Sequence, residues 1–120
     1  MEQRKEHRVS KQLYVQLRTE TKVFWGLLND FSENGLFIKC NRDFAIGTVV
    51  DIEIFMPDKS TSVLKGIVRR KMDIPDSYRK CGLGIELIRK DTRYMTFLAS
   101  SLHESIPQPR TNDGLAAMQR

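Results

Sequence analysis

The feature that most constrains the fold of this chain is an alternation of apolar and polar side chains that recurs in short segments. In the first segment, Leu13, Val15 and Leu17 fall on one side of an extended backbone, and Tyr14 and Gln16 fall on the other. Period-two patterning of this kind is typical of a β-strand with one buried face. The segments are separated by closely spaced turn signals, which favours antiparallel pairing between them.

Six such strands are predicted before residue 90, and their close spacing favours a small barrel or sandwich. Glycines inside the strands, such as Gly82 and Gly84, suit places where a barrel wall bends or another group approaches closely. We therefore predict an all-β fold, a six-stranded antiparallel β-barrel. After the strand that contains Leu13, the predicted strands cover Val23 to Leu28, Gly35 to Cys40, Val49 to Met56, Val63 to Met72 and Cys81 to Leu87. Asp30 to Asn34 is predicted to be the turn between the second and third of the six strands.

The apolar period changes after the sixth predicted strand. Asp91 is a favourable N-cap residue, and Tyr94, Phe97 and Leu98 then recur at helical spacing. The sequence thus predicts one C-terminal helix, over about Thr92 to Glu104, that packs on the barrel.

The domain organisation follows from length and from the character of the two ends. A chain of 120 residues indicates a single domain. Residues 1–10 are charged and lack core periodicity, so we expect a flexible leader, and residues 11–104 hold the predicted barrel and helix. Residues 105–120 are rich in polar and turn-forming residues with little to bury, which is typical of a disordered tail.

The composition argues against a membrane or secreted protein. No apolar run is long enough to span a bilayer, and the N-terminus is too polar for a secretory signal, so we expect a cytoplasmic chain without membrane insertion. Cys40 and Cys81 are too few for a disulfide framework and lack zinc-ligand spacing, so we expect reduced thiols and no metal site. The net charge of +5 favours an anionic partner without identifying it.

No arrangement of catalytic residues is recognisable in the sequence. His7 and His103 are isolated from any combination of nucleophile and base, and Ser100 and Ser101 lack the G-x-S-x-G context of a nucleophile elbow. We therefore expect no catalytic residues, no cofactor and no enzymatic activity.

Two short motifs carry the most distinctive chemistry. Arg4 and Arg8 lie near the N-terminus, and Asp30-Phe-Ser32-Glu-Asn-Gly35 follows about two strands later. A guanidinium group pairs bidentately with phosphate and with the acceptor edge of guanine, and a carboxylate accepts hydrogen bonds from guanine N–H groups. Each residue also has an ordinary structural interpretation. Arg4 and Arg8 are then cations of a solvated leader, Asp30 and Ser32 are side chains that close a turn, and Gly35 is a glycine with positive φ at the start of a strand.

The ordered pair of motifs resembles the PilZ family, small bacterial β-barrel receptors for cyclic di-GMP that carry Arg-x-x-x-Arg and then (Asp/Asn)-x-Ser-x-x-Gly. Three further segments are similar to that family, Ile46 to Pro57, Gly66 to Arg70 and Gly82 to Leu87, so the likeness covers about residues 4–104. The resemblance implies that cyclic di-GMP is the ligand and that the leader folds over it. The ligand-binding residues it implies are Arg4, Arg8, Asp30, Ser32 and Gly35.

Arg70 is a further candidate by resemblance. It aligns with a position where family members often present an aromatic or basic side chain toward the ligand. It is also one cation among Arg69, Arg70 and Lys71, which by themselves are typical of a solvated face.

By this resemblance we interpret the chain as a cyclic di-GMP receptor that signals to an unidentified effector protein in the control of motility, biofilm or exopolysaccharide. Only three residues precede Arg4, so the signal is expected to pass to a separate protein or to a self-association surface such as a homodimer. Gln3 stands where many family members carry a third basic residue, which leaves open whether one or two ligand molecules bind.

Two alternatives remain at this point. One is a small basic β-barrel that binds nucleic acid, which the charge allows. We do not expect a nucleic-acid partner, because most aromatic residues fit core or helix positions rather than an exposed stacking set. The other is a ligand-free adaptor with a PilZ-like fold, against which the intact motifs argue.

Overall fold

The computed structural model describes residues 7–105, which form six β-strands and one α-helix. Arg4 and residues 106–120 of the expected tail lie outside the described residues. The elements in chain order are β1 (Val9–Arg18), β2 (Val23–Phe31), β3 (Gly35–Cys40), β4 (Val49–Phe55), β5 (Thr61–Asp73), β6 (Cys81–Arg89) and α1 (Thr92–Ser105).

The six strands form a closed barrel in the order β1-β2-β3-β6-β5-β4, and every neighbouring pair is antiparallel. The sheet closes because β1 pairs with β4 as well as with β2. The predicted fold class, a six-stranded antiparallel barrel with one C-terminal helix, is therefore confirmed.

The core is built from the alternate side chains of each strand that point into the barrel, as the period-two pattern predicts. Tyr94 and Leu98 of α1 pack against the same core, so the helix belongs to the domain. The inward-facing residues that are buried include Val15, Leu17, Leu28, Ile38, Ile52, Ile54, Leu64, Val68, Leu83 and Ile85.

β1 and β2 extend further than predicted. β1 begins at Val9, inside the expected leader, and Val9 pairs with Phe31 at the end of β2. The pairing of β2 with β3 shifts between Leu28 and Asp30, which makes Asn29 an extra residue. Because of that extra residue, Phe31 points into the core and Asp30 points outward. Asp30 therefore lies in a strand and not in the predicted turn.

A second irregularity lies between β5 and β6. Val68 pairs with Ile85 while Arg70 pairs with Gly84, so Arg69 is the extra residue of a β-bulge. Bulges redirect the side chains that follow them. As a result, Arg69 and Arg70 are both exposed on the outer face of the barrel.

The start of α1 is tied to the barrel by Asp91. Its carboxylate accepts hydrogen bonds from the backbone N–H of Tyr94 at 2.8 Å, from the backbone N–H of Val63 at 3.0 Å and from the hydroxyl of Ser62. The predicted N-cap is thus confirmed, and the same side chain joins the helix to β5. The helix ends at Ser105, one residue beyond the predicted end at Glu104.

Asp91→Ala is expected to lower the free energy of unfolding by about 1–2 kcal/mol, because it removes the helix cap. Burial of this carboxylate favours its neutral form, but the hydrogen bonds from Ser62, Tyr94 and Val63 outweigh burial and hold the pKa of Asp91 below its ordinary value. A lowered pKa in the folded state stabilises the fold above the unfolded-state pKa of about 3.9.

The difference in stability between the parent and Asp91→Ala should therefore be full near neutral pH and should shrink as the pH falls below about 4. Urea unfolding at several pH values measures it, with Asp76→Ala in the exposed β5–β6 loop as the control. A difference that stayed constant down to pH 3 would contradict the role given to the carboxylate.

The two cysteines are free thiols that face each other across β3 and β6. Burial raises the pKa of both Cys40 and Cys81, so little thiolate is present near neutral pH. Within residues 7–105 there is no cluster of three or more side chains able to hold a metal ion. The one helix of this range, α1, is too short and too polar to cross a membrane.

Candidate functional site

The first contact of the site joins the two sequence motifs. Arg8 precedes β1 directly, and the irregular pairing of β2 turns Asp30 toward it. Arg8 Nε donates to Asp30 Oδ1 at 2.6 Å, and Arg8 Nη2 lies 2.6 Å from the same oxygen. The two side chains are 22% and 24% exposed, so the pair is partly shielded from water.

The turn after β2 supplies the second contact. Its ends are held by the backbone N–H of Ser32, which donates to the carbonyl of Gly35 at 2.9 Å. Ser32 is buried, and its hydroxyl accepts a hydrogen bond from Arg8 Nη1 at 3.1 Å. One guanidinium group therefore spans both polar residues of the second motif.

Gly35 keeps open the space in front of these groups. Among the described residues, positive φ angles occur at Lys59 and Gly47, so the backbone of Gly35 is not in the left-handed conformation that favours glycine. A Cβ at Gly35 would lie 3.6 Å from Arg8 Nη1 and 3.8 Å from Ser32 Oγ. A side chain here would fill the approach to both groups.

Arg70 reaches the same surface from β5. The bulge sets it opposite Gly84, and a Cβ at Gly84 would lie only 3.2 Å from Arg70 Nε. The Arg70 side chain therefore lies against the backbone of β6 at Gly84, and a Cβ there would push it away by a few tenths of an ångström. Among the described residues no carboxylate is within ion-pair distance of Arg70, whereas its neighbours do have carboxylate partners. These pairs are Arg69 with Glu86 at 2.7 Å and Lys71 with Asp43 at 2.8 Å.

Two shallow pockets meet at these arginines. Both pockets include Arg8 and Arg70 in their lining. The smaller, of about 200 Å³, is also lined by Asn34, Gly35, Leu36, Arg69, Gly84, Ile85 and Glu86. The larger, of about 280 Å³, is completed by Asn29, Asp30, Phe37 and Met72.

Of the residues singled out in the sequence, Arg8, Asp30, Ser32, Gly35 and Arg70 thus come together on the outer face of the barrel. Arg4 is outside the described residues. Asn29, Phe37 and Met72 line the larger pocket and were missed. Phe37 has only an outward strand position as its signal in the sequence, which it shares with many other residues. Asn29 lies past the predicted strand end at Leu28, and Met72 is turned outward by the bulge at Arg69, so the sequence pattern marks neither.

The site is linked to the helix through Ser32. The hydroxyl of Tyr94, which is fully buried, donates a hydrogen bond to the carbonyl of Ser32 at 2.5 Å. The preceding residue, Phe31, packs its ring against Tyr94 and stacks on Phe97 at centroid distances of 6.0 Å and 5.6 Å. The turn that carries Ser32 is therefore anchored on α1.

Tyr94→Phe is expected to lower the free energy of unfolding by about 1–3 kcal/mol, because it leaves the carbonyl of Ser32 buried without this donor. The ring contacts with Phe31 remain, so the loss reports the hydroxyl alone. Thermal and urea unfolding measure it. Tyr78→Phe, at a tyrosine that is 82% exposed, is the matched control and should leave stability unchanged. Equal stability of the two variants would contradict the anchoring role.

The fold and the site together define a small closed β-barrel with a cationic, carboxylate-containing surface site beside its first strand. The PilZ domain model matches residues 2–102, and the chain belongs to the PilZ domain family. The predicted family is confirmed by this match. A comparison with curated protein sequences gave no match.

Solved structures have a similar fold. The Bacillus subtilis inhibitor of motility MotI/DgrA has a TM-score of 0.73 and 19% identity, over 88% of this chain and 52% of that one. The PilZ domain of YcgR from Escherichia coli, solved with c-di-GMP, has a TM-score of 0.66 and 13% identity, over 87% of this chain and 95% of that one. The PilZ domain of CeSA from a cellulose synthesizing bacterium has a TM-score of 0.58 and 16% identity, over 83% of this chain and 99% of that one. The chain spans about half the length of the MotI/DgrA chain.

Proposed function

We propose that this protein is a receptor for cyclic di-GMP and acts as an adaptor, not as an enzyme. The observation that carries the proposal is the convergence of Arg8 and Arg70 between two pockets, with Asp30, Ser32 and Gly35 beside them. Cyclic di-GMP offers two phosphates and two guanine bases. Guanidinium groups pair with phosphate oxygens and with guanine O6 and N7, so they suit both parts of this ligand.

The other residues have distinct roles in this proposal. Asp30 accepts guanine N–H groups through Oδ2, because Oδ1 accepts two close contacts from Arg8 whereas Oδ2 accepts one longer hydrogen bond, from Asn29 Nδ2 at 3.3 Å. The same carboxylate holds the Arg8 guanidinium in position, which lowers the entropy lost when a ligand binds. Ser32, expected from the sequence to donate to the ligand, instead positions Arg8 in this proposal, because its buried hydroxyl accepts from Arg8 Nη1. Gly35 allows close approach.

Arg4 is proposed as a second cation of the leader on the strength of the Arg-x-x-x-Arg motif alone. In this proposal the leader closes over the ligand, and the closed surface is presented to an effector protein or to a second copy of the chain. Binding of the ligand is thus converted into a new protein surface.

Two structural neighbours support the ligand. The YcgR PilZ domain was solved with c-di-GMP, and MrkH is described as a c-di-GMP dependent transcription regulatory factor. MrkH has a TM-score of 0.64 with this chain. The motif residues of the family are present in order here, which favours a binding member over a ligand-free adaptor.

A nucleic-acid-binding barrel is the second candidate, because some aromatic side chains are exposed. Phe31 and Tyr94 lie in the core, but Tyr14, Trp25 and Tyr78 are 58%, 55% and 82% exposed. Arg79 lies over Tyr14 and Tyr78 at 6.0 Å and 5.5 Å. Exposed aromatic rings with cations are used to bind single strands, and these three residues lie outside the core and helix positions that were expected for most of the aromatic residues.

Salt dependence separates the two candidates. A nucleic-acid binder neutralises many phosphates and loses affinity steeply as salt rises, whereas a receptor for one cyclic dinucleotide neutralises few. We expect cyclic di-GMP to bind the full chain at physiological salt with a shallow salt slope, measured by calorimetry. Tight and steeply salt-dependent binding of a random single-stranded oligonucleotide, with no binding of cyclic di-GMP, would favour the second candidate.

A further inference from the structure

The outer side of the barrel carries an apolar surface that is centred on β1. Tyr14 on β1, Trp25 on β2 and Val63 on β5 belong to it and are 58%, 55% and 53% exposed. Gln16 of β1 pairs with Trp25 and, on its other side, with Glu53 of β4. Glu53 in turn pairs with Val63, so one row of outward side chains crosses four strands. A continuous apolar surface, unlike scattered apolar side chains, marks an interaction site.

Two stacked aromatic rings lie at the centre of this surface. The ring centroids of Trp25 and Phe55 are 5.4 Å apart, at an interplanar angle of 25°. Because β1 lies between β2 and β4, the two rings meet across β1, which also carries Tyr14. Large aromatic side chains contribute much of the binding energy at protein interfaces, since they bury a large and rigid area. The surface formed by Tyr14, Val23, Trp25, Phe55 and Val63 is called the β1 face below.

Charged residues border the β1 face in pairs of opposite sign. Arg18 Nη2 lies 3.0 Å from Glu53 Oε1, and Lys65 Nζ lies 3.1 Å from Asp51 Oδ1. The two ion pairs are neighbours, because Arg18 and Asp51 pair across β1 and β4. These four side chains together have no net charge, although the whole chain carries +5. Such a border does not attract a polyanion, and it does not repel a second copy of itself.

The charges and the closed sheet favour docking of another protein surface. A nucleic acid would need a groove of cations along its backbone. Arg79 of the β5–β6 loop, whose guanidinium carbon lies 6.0 Å from the centroid of the Tyr14 ring, adds one positive charge at the edge of the β1 face. One cation beside two neutral ion pairs does not form such a groove. The six described strands close without a free edge, so a partner docks on side chains and does not add a strand.

We propose that the β1 face is a homodimer interface, which docks on the β1 face of a second copy about a two-fold axis. Both copies then contribute the same residues, so apolar side chains meet apolar surface and each border supplies charges of both signs. Trp25 is central and Val63 lies toward the rim. The inference goes beyond the proposed function, because the β1 face shares no residue with the two pockets of the candidate site and dimerisation requires no cyclic di-GMP.

Sedimentation equilibrium of the full chain without cyclic di-GMP tests this proposal. The parent, whose monomer mass is 13.9 kDa, should form dimers at about 100 μM. Trp25→Glu should weaken dimerisation at least about thirtyfold, because it removes a ring from the centre of the interface and places a charge there. Val63→Glu should weaken it about tenfold, because the charge lies nearer the rim.

Ile88→Glu is the matched control for these variants. Ile88 is 50% exposed, close to the exposure of Trp25. It lies on β6, which is three strands away from β1 in either direction around the closed barrel. The substitution adds the same charge at a similar exposure, so dimerisation should stay within about twofold of the parent.

The fluorescence of Trp25 reports on the interface directly, because it is the only tryptophan of the chain. The emission of the parent should shift to longer wavelength on dilution through the range in which the dimer dissociates, since the indole then becomes exposed to water. Ile88→Glu should show the same shift over the same range, and Val63→Glu should show it at higher concentration. A constant emission while the mass changes would place the dimer contact elsewhere and overturn the proposal.

Two results in sedimentation would also overturn the proposal: a parent that stays monomeric at about 100 μM, or dimers that Trp25→Glu and Val63→Glu leave intact. If the monomeric parent bound a random single-stranded oligonucleotide with quenching of Trp25, the β1 face would belong to the nucleic-acid candidate. If Trp25→Glu does not fold, Val63→Glu and the fluorescence of the parent decide the question. Each measurement is made without cyclic di-GMP, so the receptor proposal stands or falls separately.

Discussion

Phe31→Ala should lower the free energy of unfolding by about 3–5 kcal/mol, the largest effect expected of any single substitution considered for this protein. Phe31 is completely buried at the end of β2, and its ring contacts Tyr94 and stacks on Phe97. Removing the ring leaves a cavity between the barrel and α1. For a domain of this size the melting temperature should fall by at least about 12 °C.

Phe55→Ala is the matched control for this experiment, because Phe55 stacks on Trp25 but points out of the barrel. Phe55→Ala should lower the free energy of unfolding much less than Phe31→Ala, since water can occupy the space left by the ring and no closed cavity forms. Thermal unfolding of the two variants measures the difference. Equal losses of stability in the two variants would contradict the conclusion that Phe31 joins the site, the barrel and the helix.

Arg8→Ala should weaken cyclic di-GMP binding by about ten- to a hundredfold, equivalent to the roughly 1.5–3 kcal/mol of a hydrogen bond to a charged group. The effect has two parts. The guanidinium group that faces both pockets is lost, and Asp30 loses the cation that holds it in place. The free energy of unfolding should change by less than about 1 kcal/mol, because the ion pair is partly exposed.

Arg18→Ala offers a close control. Arg18 also pairs with a strand carboxylate, Glu53 at 3.0 Å, but it lies at the other end of β1 and lines neither pocket of the site. Its removal should leave affinity within about twofold of the parent at physiological salt, where distant exposed charges are screened. If Arg8→Ala bound as tightly as Arg18→Ala, the site would be assigned to the wrong place on the barrel.

The fold could be predicted from the sequence because each strand carries its own signal. A residue such as Ile52 or Leu83 is marked as inward-facing by its polar or glycine neighbours, and that pattern does not depend on which strand lies next to it. The helix was predictable for the same reason, since Asp91 and the apolar residues after it form a local pattern. The predicted turn was wrong at Asp30, because burial of Phe31 continues β2 past Asn29 although the residues that follow are turn-forming.

The candidate site could be predicted only in part. Arg8, Asp30 and Ser32 were found because they lie in a recognisable motif, and the structure brings them within hydrogen-bond distance of one another. Phe37 and Met72 could not be predicted as lining residues of one pocket. Their approach to each other depends on the order of strands in the closed barrel and on the bulge at Arg69. Both features are set by pairing between segments that are distant in the sequence.

The measurement that tests the central claim most directly is calorimetric titration of the full chain with cyclic di-GMP, cyclic di-AMP and GTP at physiological salt. Adenine presents an amino donor at position 6 where guanine presents an acceptor, so cyclic di-AMP leaves an arginine fork and the Asp30 carboxylate poorly paired. We expect cyclic di-GMP to bind at least about tenfold more tightly than cyclic di-AMP, equivalent to roughly 1.4 kcal/mol, and GTP to bind weakly or not at all. Equal affinities for the two cyclic dinucleotides, or no binding of cyclic di-GMP, would contradict the assignment of this surface as a cyclic di-GMP site.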